Sequence, residues 1–264
     1  YPPLRRYLIE EARQQGLMGP DDDLLVTSGC QQALDLLDRV LVRGAQHAVA
    51  LEDPVYPGIH NLFRRSGARV IGIPAGDGGV RVDEVEQALE RERPRLLVLT
   101  PNFQNPTGAT IPLGNRKGIA ELVRKFGVVL VENDIYGSLR YRGEAITPLK
   151  QLDDSGHVVR LHSFSKMAFP GLRVGWVLGP APLIARLAEA KQLCDLHTDQ
   201  LAQAVLLRFV ETGRLHRHLE RIREAGRARL DAVLDGCRRF LPAGTEFTKP
   251  EGGMNLWVKL PEPL

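Results

Sequence analysis

Residues 95–99 read Arg-Leu-Leu-Val-Leu and residues 128–132 read Val-Val-Leu-Val-Glu, with apolar side chains at helical spacing over 113–125 between them. A short apolar run that does not alternate with polar residues is typical of a strand covered on both faces of its sheet. A helix between two such strands is typical of a parallel sheet with helices packed against it. These stretches therefore predict the centre of an α/β fold.

The same alternation of strand and helix continues on both sides of this centre. It predicts further strands at residues 24–27, 48–52, 69–73, 158–162 and 174–178. It predicts further helices at residues 30–42, 57–66 and 82–91. We therefore expect a doubly wound, mostly parallel sheet.

The chain changes character after residue 178, where helical patterns follow one another at residues 181–193, 200–211 and 215–241. The last pattern has apolar or small side chains on one face, at Leu215, Leu219, Ile222, Gly226, Leu230 and Val233. Two short strands are expected near residues 245–248 and 255–259. We expect an N-terminal helix over 1–20 that comes from a small domain or arm, a large domain over 21–195, and connecting helices with the start of an incomplete small α/β domain over 196–264.

Composition excludes several classes of protein. The 264 residues carry 35 Lys and Arg against 32 Asp and Glu, a net charge of +3 without a basic block, so charge gives no argument for nucleic acid or anionic membrane. Three cysteines without a C-x-x-C spacing support neither a disulfide framework nor a zinc site, and we expect a reducing cytoplasm and no metal. The apolar runs are far shorter than the ~20 residues of a membrane helix. The glycine-rich motifs of dinucleotide and P-loop proteins are missing.

Lys166 is the first candidate for chemistry, in the stretch Ser-Phe-Ser-Lys at 163–166 after a predicted strand. A lysine among hydroxyl groups, with Arg173 seven residues later, suits an amine that binds a carbonyl as a Schiff base beside an anion site. The spacing Ser163-x-x-Lys166 also occurs in serine acyl-transfer enzymes, but the Ser-Asp-Asn and Lys-Thr-Gly partners of that class are missing. The plain alternative is a surface lysine.

Polar groups follow three other predicted strands. Residues 27–31, Thr-Ser-Gly-Cys-Gln, precede a helix, where free backbone N–H groups bind anions, although the same residues also suit a simple helix cap. The turn at 102–108 brings Asn105 to a strand end, where open α/β sheets bind ligands. In Glu-Asn-Asp-Ile-Tyr at 132–136, the carboxylate of Asp134 and the phenol of Tyr136 together suit a pyridinium nitrogen and the neighbouring ring oxygen. Alternatively, Asp134 caps a helix.

Four ordered motifs resemble the class I and II aminotransferases of fold type I, which use pyridoxal 5'-phosphate. They are EDPVYPG at 52–58, TPNFQNPTG at 100–108, ENDIY at 132–136 and SFSKMAFPGLRVGW at 163–176. The segments AKQLCDLHTDQLAQ at 190–203 and KPEGGMNLWVKLP at 249–261 are similar to the aminotransferase-like domain of MocR-type bacterial regulators.

The resemblance implies a role for each candidate residue. Lys166 would hold pyridoxal 5'-phosphate as a Schiff base, and Asp134 would pair with its pyridine nitrogen. Asn105 and Tyr136 would bond the ring hydroxyl oxygen, and Tyr56 would stack on the ring. The residues implied around the phosphate are Gly29, Cys30, Gln31, Ser163, Ser165 and Arg173. The residues implied to be catalytic are Lys166, Asp134 and Tyr136.

The function implied is transfer of an amino group between an amino acid and a 2-oxo acid by a homodimer. In the family, a tyrosine of the neighbouring subunit and an arginine for the substrate carboxylate come from segments before Tyr1 and after Leu264, so we expect this chain to be the central piece of a longer polypeptide. The alternative is the effector-sensing and dimerisation domain of a MocR-type regulator of the GntR family, which would contact DNA only through a domain absent from this chain. A Schiff-base aldolase on a barrel is disfavoured, because eight βα repeats are not present.

Overall fold

The structure, a computed structural model, describes residues 1–42 and 44–262. Its strands are β1 (Asp22–Thr27), β2 (Ala48–Asp53), β3 (Arg69–Gly76), β4 (Gly79–Val80), β5 (Leu96–Leu99), β6 (Val129–Asn133), β7 (Val158–Ser163), β8 (Gly175–Pro180), β9 (Glu246–Phe247) and β10 (Val258–Lys259). Its α-helices are α1 (Pro2–Gln14), α2 (Cys30–Leu37), α3 (Pro57–Arg65), α4 (Val82–Glu92), α5 (Leu113–Phe126), α6 (Leu149–Leu152), α7 (Ala181–Asp195), α8 (Gln200–Glu211) and α9 (Arg214–Phe240). The helix predicted over 30–42 is α2 followed by a π-helical turn, Asp38–Val42.

The central sheet contains eight strands in the order β1, β8, β7, β6, β5, β2, β3, β4. The neighbours from β3 through β2, β5 and β6 to β7 are paired in parallel. Strand β8 is antiparallel to both β7 and β1, and β4 is antiparallel to β3. The prediction of an α/β fold with a doubly wound, mostly parallel sheet is confirmed. The carboxyl ends of β5, β6 and β7 meet at one edge of this sheet.

Helices cover both faces of the sheet, and β5 shows how the side chains are divided between them. Val98 belongs to the core that Leu34 of α2 and Phe63 of α3 form on one face, whereas Leu97 belongs to the core that Ile119 of α5 forms on the other. All four residues of β5 are buried. Successive residues of a strand therefore point to opposite, equally buried faces, which explains the apolar runs without polar alternation.

Helix α9 lies beside the loop that follows β6. A Cβ on its Gly226 would lie 2.4 Å from Cζ of Tyr141, so glycine allows the ring to approach the helix. The sequence predicts Val233 as the end of the apolar face, but Val233 is 50% exposed and Leu234 is 3% exposed. The prediction is wrong at Val233, because the buried face of α9 continues from Leu230 to Leu234, four residues later, and not to Val233, three residues later.

The last segment of the chain is attached to the loop after β5. The hydroxyl of Thr248 donates to the carbonyl oxygen of Thr107 at 2.7 Å. A Cβ on Gly253 would lie 2.3 Å from Cβ of Phe103, which is fully buried. Strands β9 and β10, which are shorter than the predicted strands, pair antiparallel next to this segment.

The division of the chain into parts over 1–20, 21–195 and 196–264 stays a prediction. Within the described ranges, no helix is long and apolar enough to span a bilayer.

Candidate active site

Lys166 lies in the loop that follows β7. Ser163 fixes the start of this loop, because its Oγ donates to the carbonyl oxygen of Val174 at 3.1 Å and accepts from the backbone N–H of Ser165 at 3.0 Å. The Lys166 side chain is exposed, and its Nζ lies 5.9 Å from the centre of the Tyr136 ring. The amine is therefore accessible to a carbonyl compound that enters beside Tyr136.

A cavity of about 240 Å³ opens next to this amine, at the edge where the parallel strands end. The predicted site residues that line it are Cys30, Gln31, Tyr56, Asn105, Tyr136, Ser163, Ser165, Lys166 and Arg173. Gly29 lies beside the cavity at the start of α2. The structure thus brings together residues from five connections that are far apart in the sequence, those that follow β1, β2, β5, β6 and β7.

One end of the cavity is suited to an anion. Helix α2 begins directly after Gly29, so its first backbone N–H groups have no partner within the helix. The guanidinium of Arg173 lies 3.4 Å from the carbonyl oxygen of Ser28 and 3.3 Å from Oγ of Ser165. Gly29 has a φ of 85°, and a Cβ there would lie 2.5 Å from Nη2 of Arg173. The positive φ favours glycine at this position, and without a Cβ the guanidinium of Arg173 can lie against the start of α2.

Cys30 is the first residue of α2, at the anion-binding end of the cavity. Burial raises the pKa of its thiol to about 12, despite the nearby Arg173 guanidinium. The thiol therefore stays neutral at physiological pH and does not repel an anion at the start of α2.

Another side of the cavity carries a phenol and an amide. Nδ2 of Asn105 lies 3.5 Å from the hydroxyl of Tyr136, which is 4% exposed. Burial raises the pKa of this phenol, so it keeps its proton at neutral pH. Tyr56 is 47% exposed at the mouth of the cavity. The pair Asn105 and Tyr136 can bind a hydroxyl or phenolate oxygen, and Tyr56 offers a ring for stacking.

Asp134 does not line this cavity and lies on the opposite face of the sheet. Its Oδ2 accepts from Nη2 of Arg160 at 2.5 Å, and its Oδ1 accepts from Nδ2 of Asn102 at 2.8 Å. Arg160 also donates to Glu132 at 3.0 Å. Burial alone would raise the pKa of Asp134, but attraction to Arg160 leaves it below its ordinary value. The predicted pairing of Asp134 with a pyridine nitrogen therefore finds no support in this geometry.

Asn133, the last residue of β6, lines the cavity instead. It is 3% exposed, its Nδ2 lies 3.5 Å from the hydroxyl of Thr100, and no described residue bonds its Oδ1. The strand pleat turns Asn133 to one face, whereas both of its neighbours bind Arg160 on the other. The sequence analysis missed this residue. A predicted strand that continued through residue 133 would have placed Asn133 on the same face as Val131, two residues earlier.

Two buried ionisable side chains, also missed from the sequence, support the loops of the site. Arg116 is fully buried and donates to the carbonyl oxygens of Ile111 and Pro101, each at 2.9 Å. Burial lowers its pKa to about 10, so it remains charged at neutral pH. Glu52 accepts from the backbone N–H of Thr100 at 2.9 Å, and burial raises its pKa to about 8. The sequence feature that could have identified Glu52 is its carboxylate near the end of the otherwise apolar strand β2.

Comparison with known proteins identifies the family. Residues 6–263 match the family described as aminotransferase class I and II. The chain belongs to the class I and II aminotransferases. This aminotransferase-family chain is 38% identical to aromatic-amino-acid aminotransferase 1 of Thermococcus litoralis, over 99% of the chain and 64% of that protein. It is 39% identical to 2-aminoadipate transaminase of Thermus thermophilus, over 100% of the chain and 66% of that protein.

The fold of this aminotransferase-family chain matches solved structures as well. The crystal structure of Pyrococcus horikoshii kynurenine aminotransferase superposes with a TM-score of 0.96 at 37% identity, over 100% of this chain and 66% of that one. The chain therefore spans less than two thirds of the length of these aminotransferases. The relatives also include an uncharacterized HTH-type transcriptional regulator of Bacillus subtilis, 33% identical over 97% of the chain.

Proposed function

We propose that this chain carries the pyridoxal phosphate site of a transaminase. The observation that supports the proposal best is that one cavity combines an accessible amine, an anion-binding end and a hydroxyl-binding pair. Pyridoxal phosphate presents an aldehyde, a phosphate and a ring hydroxyl, and each of these groups has a matching partner. The match to the aminotransferase family, and the relative solved with PMP and kynurenine, support the same cofactor.

When bound, pyridoxal phosphate supplies an aldehyde that condenses with amines and a ring that accepts electrons. Lys166 provides the amine that holds the aldehyde, and as a free amine it moves a proton at Nζ. Arg173 and the first N–H groups of α2 bind the phosphate through charge-assisted hydrogen bonds. Asn105 and Tyr136 orient the ring by its hydroxyl group, and Tyr56 covers one face.

The substrates that we propose are an amino acid donor and a 2-oxo acid acceptor. The named relatives act on aromatic amino acids, 2-aminoadipate and kynurenine, which supports a donor with a long or aromatic side chain. We propose that the full-length protein is a cytoplasmic homodimer. The exposure of Tyr56 and Lys166 supports a second subunit over the cavity, and the three unpaired cysteines support a reducing compartment.

Borohydride trapping tests the assignment of Lys166. The full-length protein, loaded with pyridoxal phosphate and reduced, is expected to give one modified peptide, which contains Lys166. Lys166→Ala should abolish both the adduct and the visible absorption of the bound cofactor, whereas Lys117→Ala, a change of an exposed lysine on α5, should keep both. An adduct that maps to Lys117 or Lys191 would exclude the assignment.

The second candidate is the sensing domain of a transcriptional regulator, which the HTH-type relative favours. Steady-state turnover separates the two functions. A transaminase converts many equivalents of amino acid to 2-oxo acid when a 2-oxo acid acceptor is supplied. A sensing domain binds the cofactor at Lys166 and converts at most one equivalent of amino acid per bound cofactor.

A further inference from the structure

The cavity contains a buried amide that none of the proposed roles uses. Oδ1 of Asn133 has no hydrogen-bond partner among the described residues, and the side chain is 3% exposed. A buried polar atom without a partner costs free energy unless a ligand or water satisfies it. The amide therefore marks a contact point for whatever occupies the cavity. The inference below rests on the proposed function, because it concerns pyridoxal phosphate.

The three attachment points determine where the ring nitrogen lies. In pyridoxal phosphate the aldehyde carbon is on C4, with the hydroxyl on C3 and the phosphate arm on C5, so the nitrogen lies across the ring from the aldehyde. With the aldehyde at Lys166, the hydroxyl at Tyr136 and the phosphate at Arg173, the nitrogen would be directed away from Lys166, toward the buried floor of the cavity. Asn133 and Thr100, which are 3% and 5% exposed, form the polar part of this floor.

The charges around this floor do not favour a proton on the ring. The ionisable side chains that line the cavity are Cys30, Tyr56, Tyr136, Lys166 and Arg173, and none of them is a carboxylate. Two nearby carboxylates, Glu132 and Asp134, lie behind the strand and both bind Arg160. The third carboxyl group, Glu52, accepts the backbone N–H of Thr100 at 2.9 Å, and burial raises its pKa to about 8, so it is mostly uncharged at pH 7. His162 of β7 lies on that same face, against the ring of Trp176.

We propose that Asn133 is the hydrogen-bond partner of the cofactor's ring nitrogen, and that this nitrogen is neutral in the resting holoprotein. An amide can donate through Nδ2 or accept through Oδ1, but it has no charge to stabilise a protonated ring. A neutral ring accepts electrons less readily than a pyridinium. With such a ring, removal of the α-proton of an amino acid is slower than with a pyridinium.

Nitrogen-15 NMR of the full-length protein, loaded with pyridoxal phosphate labelled at the ring nitrogen, tests this proposal. The chemical shift of the label separates pyridine from pyridinium. We expect the wild type to show the neutral form at pH 7 and Asn133→Asp to show the protonated form. Asn133→Asp should also accelerate conversion of the bound cofactor by an accepted amino acid by about tenfold or more. Asp134→Asn is the matched control, because it removes a carboxylate one residue away and should leave the wild-type shift unchanged.

A pyridinium signal in the wild type would overturn the proposal, and its loss in Asp134→Asn would assign the ring nitrogen to Asp134. The wild-type spectrum decides this without depending on how any variant folds. Borohydride trapping of the same sample separates the two proposals. An adduct at Lys166 with a protonated ring contradicts only the role of Asn133, whereas the absence of any adduct at Lys166 contradicts the proposed function and this inference with it.

Discussion

Glu52 is a carboxylic acid buried at the end of β2, with 1% of its surface exposed. Its Oε2 accepts the backbone N–H of Thr100, and its Oε1 has no partner among the described residues. Burial raises the pKa of this group from 4.5 to about 8. Between these two values the folded protein keeps a proton that the unfolded chain releases, so the stability that Glu52 contributes is lost as the pH rises.

We expect Glu52→Gln to remove this pH dependence, because an amide does not ionise. Relative to the variant, the wild type should lose up to about 1.4 kcal/mol of unfolding free energy per pH unit between pH 5 and 8. Urea unfolding of both proteins at pH 5, 6, 7 and 8 measures the difference. Glu86→Gln, a change of a partly exposed carboxylate on α4, should follow the wild type. Parallel curves for the wild type and Glu52→Gln would show that Glu52 is already ionised in the folded protein.

The sequence predicted most of the residues that line the cavity but not the face on which each residue lies. Lys166, Arg173, Tyr136 and Asn105 were found because each stands in a motif whose residue types suit one chemical group of a ligand. The sequence analysis selects Asp134 because a carboxylate two residues before a phenol suits a pyridinium and the neighbouring ring oxygen. The pleat at the end of β6 turns Asn133 toward the cavity, and residue type carries no information about that direction.

At the scale of elements, apolar runs located every strand of the central sheet except the two-residue β4. The runs do not encode direction, because a strand buried on both faces is apolar whether its neighbours are parallel or antiparallel. The sequence therefore predicted β8 but not that it runs antiparallel between β7 and β1. The end of α2 was missed in the same way, because a π-helical turn keeps nearly the same apolar spacing.

Arg160 joins β7 to the end of β6, and we expect this connection to matter for stability. Arg160→Met keeps a long apolar side chain but leaves two buried carboxylates, Glu132 and Asp134, without their cation. The expected loss is about 3–5 kcal/mol of unfolding free energy in urea at pH 7, because an unpaired buried charge is strongly unfavourable.

Arg124→Met is the matched control for this change. Arg124 and Asp154 form an ion pair at 3.5 Å whose side chains are 59% and 77% exposed. Solvent screens such a pair, so its loss should cost about 1 kcal/mol or less. Equal losses of unfolding free energy for the two variants would mean that the ion pairs of Arg160 with Glu132 and Asp134 do not stabilise the protein.

At the scale of the whole molecule, we expect the full-length protein to form a symmetric homodimer with the cavity near the subunit interface. Tyr56 is 47% exposed, and Phe169, in the loop that follows Lys166, is 41% exposed, so this edge of the sheet is open on one side. Sedimentation velocity of the cofactor-loaded protein should show one species of twice the chain mass over a wide range of concentration. A monomer that holds a full equivalent of cofactor would contradict the expectation.

The attachment of the last segment to the loop after β5 has a mechanical consequence. Thr248 bonds Thr107, and Gly253 packs on Phe103 without room for a side chain, so these contacts hold the two segments together as one piece. Asn105 lies within that piece, between Phe103 and Thr107. A displacement of β9 and β10 would therefore carry the loop that contains Asn105 with it, whereas these contacts do not reach Lys166, which lies in the loop after β7.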